Sequence, residues 1–133
     1  MKLYAFLNKA VQEKIGYLVS HGYANGYVAI PPEHPLYGED YEKINQKVSV
    51  WGGLTYGEPM SVLLESGWKD DEAQGLVECI GFSSLNEIPK DYYVYGFDTM
   101  HASDSPLHNR DWCIHVTKNL QEQLMSAKNS QHR

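Results

Sequence analysis

The stretch Asp91-Tyr92-Tyr93-Val94-Tyr95-Gly96-Phe97-Asp98 constrains the fold more than any other part of the chain. It is rich in aromatic side chains and carries almost no charge until its closing aspartate, so it reads as a β-strand packed on a half-buried pleated surface. We expect it at the centre of a sheet. Residues 26–30, Gly-Tyr-Val-Ala-Ile, form a second strand, stopped by Pro31-Pro32, because neither proline can donate to a ladder. Val48-Ser49-Val50-Trp51, Gly52-Gly53 and Leu54-Thr55-Tyr56 read as a strand interrupted by a glycine pair, the mark of a bulge or a close backbone approach. Residues 76–82 offer a further strand, and the polar residues 69–74, with the acidic run Asp70-Asp71-Glu72, read as an exposed, solvated loop.

Helical periodicity frames these strands. Leu3, Leu7, Val11, Ile15 and Leu18 recur every three or four residues, with Lys9, Gln12, Glu13 and Lys14 between them, which predicts an N-terminal helix over residues 2–19 ending at Gly22. A short helical turn with carboxylates at its positive end is expected over residues 39–44. Cys113, Val116, Leu120 and Leu124 share one face of a long C-terminal helix over residues 110–128, with Trp112 beside them and Lys118, Gln121, Glu122 and Gln123 opposite. Asn109 can cap this helix and Asp111 favours its first turn, while residues 126–133 are polar and expected to fray. Strands without regular βαβ alternation, between flanking helices, indicate an α+β fold with a small mixed or antiparallel sheet.

At 133 residues the chain is one domain, 1–133, and its 42% hydrophobic content is enough for a core without metal or disulfide staples. Eleven lysines and arginines against seventeen acidic residues give a net charge of -6, and there is no basic run to neutralise duplex nucleic acid. No apolar run approaches the roughly 20 residues that span a bilayer. The apolar start, Met1 to Leu7, is too short for a signal peptide, so a cytoplasmic protein is expected. Cys79 and Cys113 lie far apart with no CxxC pattern and are expected as buried thiols rather than a disulfide or zinc pair.

Chemistry-bearing residues collect at strand ends: Glu33-His34-Pro35-Leu36-Tyr37-Gly38, Trp51 to Tyr56, and Gly96-Phe97-Asp98 with His101, Ser103 and Asp104. Together these segments resemble a widespread family of small, largely uncharacterised phage and bacterial proteins. Its pattern is a GYV strand, a GHPLYG-like loop, an HGGLTY segment, a GFDxxHxxD segment and a C-terminal helix. The matches are Gly26-Tyr27-Val28, His34 to Gly38, Gly52 to Tyr56, and Gly96 to Asp98 with His101 and Asp104, covering about residues 26–56 and 94–124. Trp51 stands where the family usually has histidine, which removes a proton carrier and supplies a stacking face.

Two uses of these residues compete. As a binding site for a small molecule, Tyr37, Trp51 and Tyr56 offer ring faces, Gly52 and Gly53 bring backbone amides near a phosphate or ribose, and His34, Thr55, Asp98 and His101 supply polar contacts. By similarity in class, the resemblance points to phage sponges that sequester nucleotide-derived signals in an anti-defence role. As a hydrolase, His101 would be the general base, oriented by Asp98 or Asp104. No nucleophile elbow supports that reading, although Ser103 and Thr55 offer hydroxyls. The spacing of Asp98, His101 and Asp104, with His34, is only weakly specific for a metal, so neither metal nor cofactor is expected. A third reading, an inhibitor that binds a host protein through an apolar patch, stays open, as does homo-oligomerisation. His21, His108, His115 and His132 read as structural or solvent-facing.

Overall fold

The computed structural model describes residues 1–10, 23–99 and 109–127. Its strands are β1 (Tyr4–Asn8), β2 (Asn25–Ile30), β3 (Tyr56–Pro59), β4 (Val77–Ile80) and β5 (Tyr93–Phe97), joined in one antiparallel sheet of order β3-β5-β2-β1-β4. The helices are α1 (Tyr41–Ile44), α2 (Met60–Glu65), α3 (Trp68–Ala73) and α4 (Arg110–Ser126), with a 3₁₀ turn at Leu85–Glu87. The fold is α+β.

Strand alternation gives the sheet two apolar faces. On one, Ala5, Val28, Ile30, Tyr95 and Phe97 pack against Leu120 and Leu124 of α4 and against Leu36, Ile44 and Leu54 from the loops. On the other, Phe6, Tyr27, Ala29 and Val94 meet Met60 and Leu63 of α2, Leu85 and Ile88, with Trp68 of α3 packed alongside. Because helices cover both faces, the inner strands β1 and β2 are buried at every position.

Glycines and aromatic rings interlock across the sheet centre. Gly26 pairs with Phe97 and Tyr27 with Gly96, so the two motifs face each other in register. A methyl group at Gly26 would lie 2.5 Å from the Phe97 ring and 2.3 Å from Thr117 Oγ1, and one at Gly96 would lie 2.3 Å from the Tyr27 ring. Each ring thus occupies the space above the glycine of the opposite strand, one on each face, an arrangement that lets aromatic area compensate for a missing side chain. Gly57, opposite Tyr95, repeats the pairing on β3 with a ring approach of 3.2 Å.

Several elements differ from the sequence reading. Residues 4–8 of the expected N-terminal helix form strand β1. The confusion is physical, because positions i and i+4 share a face in a helix and in a strand alike, so Leu3 and Leu7 fit both. Residues 11–22 of that helix, and residues 128–133 of the expected frayed tail, lie outside the described residues. Residues 69–74, expected as a loop, lie largely in α3, a helix anchored by Trp68 just before that stretch. Its acidic run is not simply solvated. Glu72 accepts from Ser84 Oγ at 2.7 Å and from the Leu85 amide at 2.6 Å, and Asp71 accepts from Asn8 at 3.4 Å. β5 is an inner strand as expected, but the centre of the sheet is β2.

Residues 48–55 are a turn rather than a strand. Gly52 and Gly53 both have positive φ (72° and 78°), which ends any extended ladder, and Asn45 brackets Leu54 by accepting from its amide at 2.7 Å and donating to its carbonyl at 3.1 Å. Pairing starts at the Thr55 amide, which donates to the Gly96 carbonyl at 2.9 Å. Other expectations hold. Asp40 caps α1 through the Glu42 amide, Asn109 caps α4 through the Trp112 amide, and Cys113, Leu120 and Leu124 are buried along α4, joined by Thr117. Neither cysteine forms a disulfide among the described residues. Cys113 is buried, whereas Cys79 is half-buried, its thiol pushed up to about 12 by burial and then by Glu72, Glu87 and Glu78.

Candidate functional site

The candidate residues divide between two ends of the β2/β5 pair. β2 ends at Ile30 where β5 begins at Tyr93, and the opposite end is where Gly26 meets Phe97. These ends are roughly 14 Å apart along the strands. His34 and Tyr37 belong to the first end, Asp98 to the second, so no single pocket gathers His34 and Asp98.

At the first end the polar groups close on the chain itself. His34 is buried, accepting from the Leu36 amide at Nδ1 (2.9 Å) while its Nε2–H donates to the Leu124 carbonyl (2.7 Å). Only the neutral Nε2–H tautomer satisfies both partners. Burial holds its pKa below the ordinary histidine value, opposed by the Leu124 carbonyl. The Tyr37 hydroxyl donates to the Asp91 carbonyl at 2.5 Å, and the Tyr95 hydroxyl contacts the carbonyls of Glu39 (2.6 Å) and Leu36 (3.2 Å).

Trp51, Gly52 and Gly53 lie in the turn described above. Trp51 packs edge to face on Trp112 of α4, with ring centroids 5.9 Å apart, on the face opposite Tyr27. Half of the Trp51 surface or less remains open to solvent, at 38%.

The second end carries a polar row on the face covered by α2 and α3. Asn8 pairs with Asn25, and the β2/β5 register carried one residue further sets Asn25 opposite Asp98. Asn is disfavoured inside strands, and here both asparagines fasten emerging chain. Asn8 Oδ1 accepts from the Ala10 amide at 2.6 Å, and Asn25 Oδ1 accepts from the Thr99 amide at 3.2 Å. Behind this row lie Tyr27, hydrogen-bonded to Asn25, and Tyr56, their rings 5.6 Å apart and nearly perpendicular, with Trp68 at 4.9 Å from Tyr27 on another side. Asp98 is close enough to act on Tyr27 electrostatically: burial first, then Tyr56 and Asp98, raise the Tyr27 pKa, against the Asn25 hydrogen bond. Burial, Glu58 and Tyr93 push Tyr56 up to about 12. At neutral pH both phenols therefore stay protonated and can donate.

Tyr27 is 4% exposed, so it forms the floor, while Tyr56 and Asp98 are half-buried at the rim and Thr55 is exposed beside them. The structure thus brings Thr55, Tyr56 and Asp98 to one end. His101 and Asp104 lie outside the described residues, as does the metal-ligand reading that depends on them. Among the described residues no group of three or more His, Cys, Asp or Glu could hold a metal ion. No protein-family model, curated protein or solved structure matches this chain. The reading of the site accordingly rests on its residues. Sequence reasoning missed Asn8, Asn25, Tyr27 and Trp68 as its framework; asparagine beside the apolar runs of two strands was the available signal. Among the described residues no helix is long and apolar enough to cross a membrane.

Proposed function

We propose that the protein binds a small ligand at the Asp98 end of the sheet, that the ligand is nucleotide-derived, and that it is held rather than turned over. The observation behind this reading is that the half-buried Tyr56 ring packs 5.6 Å from the Tyr27 ring and that the half-buried Asp98 lies near enough to act on the same phenol. A carboxylate accepts two hydrogen bonds from a ribose diol, the Tyr56 phenol donates, and an aromatic face stacks on any base. His101 and Asp104, three and six residues beyond Asp98, are close enough in sequence to add contacts. The resemblance to the phage and bacterial family adds the sequestering role to the proposal.

The test is thermal melting against a panel of nucleosides, nucleotides and cyclic oligonucleotides. A cognate ligand raises the melting temperature by mass action and is recovered chemically intact after denaturation. Tyr56→Ala should weaken binding by about 1 to 3 kcal/mol if the ring stacks on a base. Asp98→Asn should weaken it as well. A ligand recovered cleaved from the wild type but intact from His101→Ala would replace sequestration with hydrolysis. Binding indifferent to both Tyr56→Ala and Asp98→Asn would move the site elsewhere.

A further inference from the structure

The two edges of the sheet differ in what they leave open. In an antiparallel ladder, alternate residues turn their N–H and C=O groups toward the neighbouring strand and the others turn theirs away. Lys9 donates to the Leu76 carbonyl at 2.9 Å, continuing the β1/β4 register. Leu7–Glu78 and Ala5–Ile80 are therefore the hydrogen-bonded pairs, and Val77 and Cys79 point their backbone groups outward. On the other edge Met60 donates to Tyr92 at 2.8 Å, which by the same alternation turns Gly57 and Pro59 of β3 outward. Pro59 has no N–H, so β3 keeps one outward donor. β4 keeps two donors and two acceptors, and among the described residues no hydrogen bond reaches any of them. Gly75 and Gly81, both at positive φ (79° and 82°), bound this open stretch.

The edge is acidic on both faces. Glu78 lies on the side of α4, where it pairs with Arg110. Glu72 of α3 and Glu87 of the 3₁₀ turn belong to elements on the opposite face, and all three carboxylates act on the Cys79 thiol. A second copy of the chain fits poorly here. Pairing Val77 with Cys79 about a two-fold axis would set Glu78 directly opposite its own counterpart, and like charges in that position repel. The net charge of -6 likewise favours a basic partner. We propose that β4 is a docking edge for an extended, basic segment of a partner polypeptide, which adds to the sheet as an outer strand beside Val77 and Cys79. Main-chain hydrogen bonds hold the segment, and its lysine or arginine side chains meet Glu78 on one face and Glu72 and Glu87 on the other.

The experiment is amide exchange by NMR on the intact protein, alone and with a short capped peptide of alternating lysine and valine. In the free protein the Val77 and Cys79 amides should exchange fast and those of Glu78 and Ile80 slowly. The peptide should slow exchange at Val77 and Cys79 by about tenfold or more. A peptide with glutamate in place of lysine should bind at least about tenfold more weakly. A peptide alternating lysine and proline keeps the charge but lacks half of the donors, and it should protect neither amide. Four results would each overturn the proposal: a Cys79 amide already protected in the free protein, no slowing by the lysine–valine peptide, equal binding of either control peptide, or a concentration-dependent dimer that protects the same amides and so assigns the edge to a second copy.

Discussion

The two ends of the β2/β5 pair use similar residue types for different purposes. Beyond Ile30 the chain leaves the ladder through Pro31-Pro32, and the loop that follows leaves backbone groups needing partners. His34, Tyr37 and Tyr95 meet that need, reaching Leu36, Leu124, Asp91 and Glu39. Beyond Phe97 the same task falls to Asn8 and Asn25, which hold Ala10 and Thr99, and Tyr56 and Asp98 are half-buried there.

This contrast can be broken most severely at the sheet centre on which both ends depend. Gly96→Ala should cost about 3 kcal/mol in urea unfolding, because the added methyl meets the Tyr27 ring at 2.3 Å and the Gly26 carbonyl oxygen at 2.9 Å. A loss under about 1 kcal/mol would show that the ring yields and the interlock is dispensable. Asn45→Ala should cost about 2 kcal/mol, since it strips the buried Leu54 of partners for both its amide and its carbonyl. An unchanged denaturation midpoint would mean that the glycine-pair turn holds itself. Tyr95→Phe probes the closed end alone, where losing one hydroxyl from the Glu39 and Leu36 carbonyls should cost about 1 kcal/mol. The smallest expected effect is at the rim: Asp98→Asn, which keeps the size of the side chain and one acceptor oxygen, should alter stability by less than about 1 kcal/mol while lowering ligand affinity. A stability loss above about 1 kcal/mol would make Asp98 another fastening of the chain, and the two ends would then be alike.

Much of this was legible in the sequence and some was not. β2, β5 and α4 were readable because each carries its pattern within itself: aromatic and β-branched runs for the strands, and a single apolar stripe with an asparagine cap for the helix. β1 was misread because its burial on both faces removes the alternation that separates a strand from a helix. α3 was missed because a short helix needs only one anchor, and Trp68 sits just ahead of the polar residues that looked like a loop. The candidate site fared similarly: grouping Asp98 with His34 assumed that all strand ends face one way. An antiparallel sheet sends successive ends to opposite sides.

The sequence by itself determined the class of the fold, the long C-terminal helix and the two motifs Gly26-Tyr27 and Gly96-Phe97, because periodicity and aromatic strand preference act over a few neighbouring residues. Only the tertiary structure decided that these motifs face each other, that β2 rather than β5 is central, and that His34 is tied to Leu124, ninety positions away. Strand order, register and the pairing of buried polar groups depend on contacts between distant segments, and no local preference encodes which partner a donor or a ring will meet.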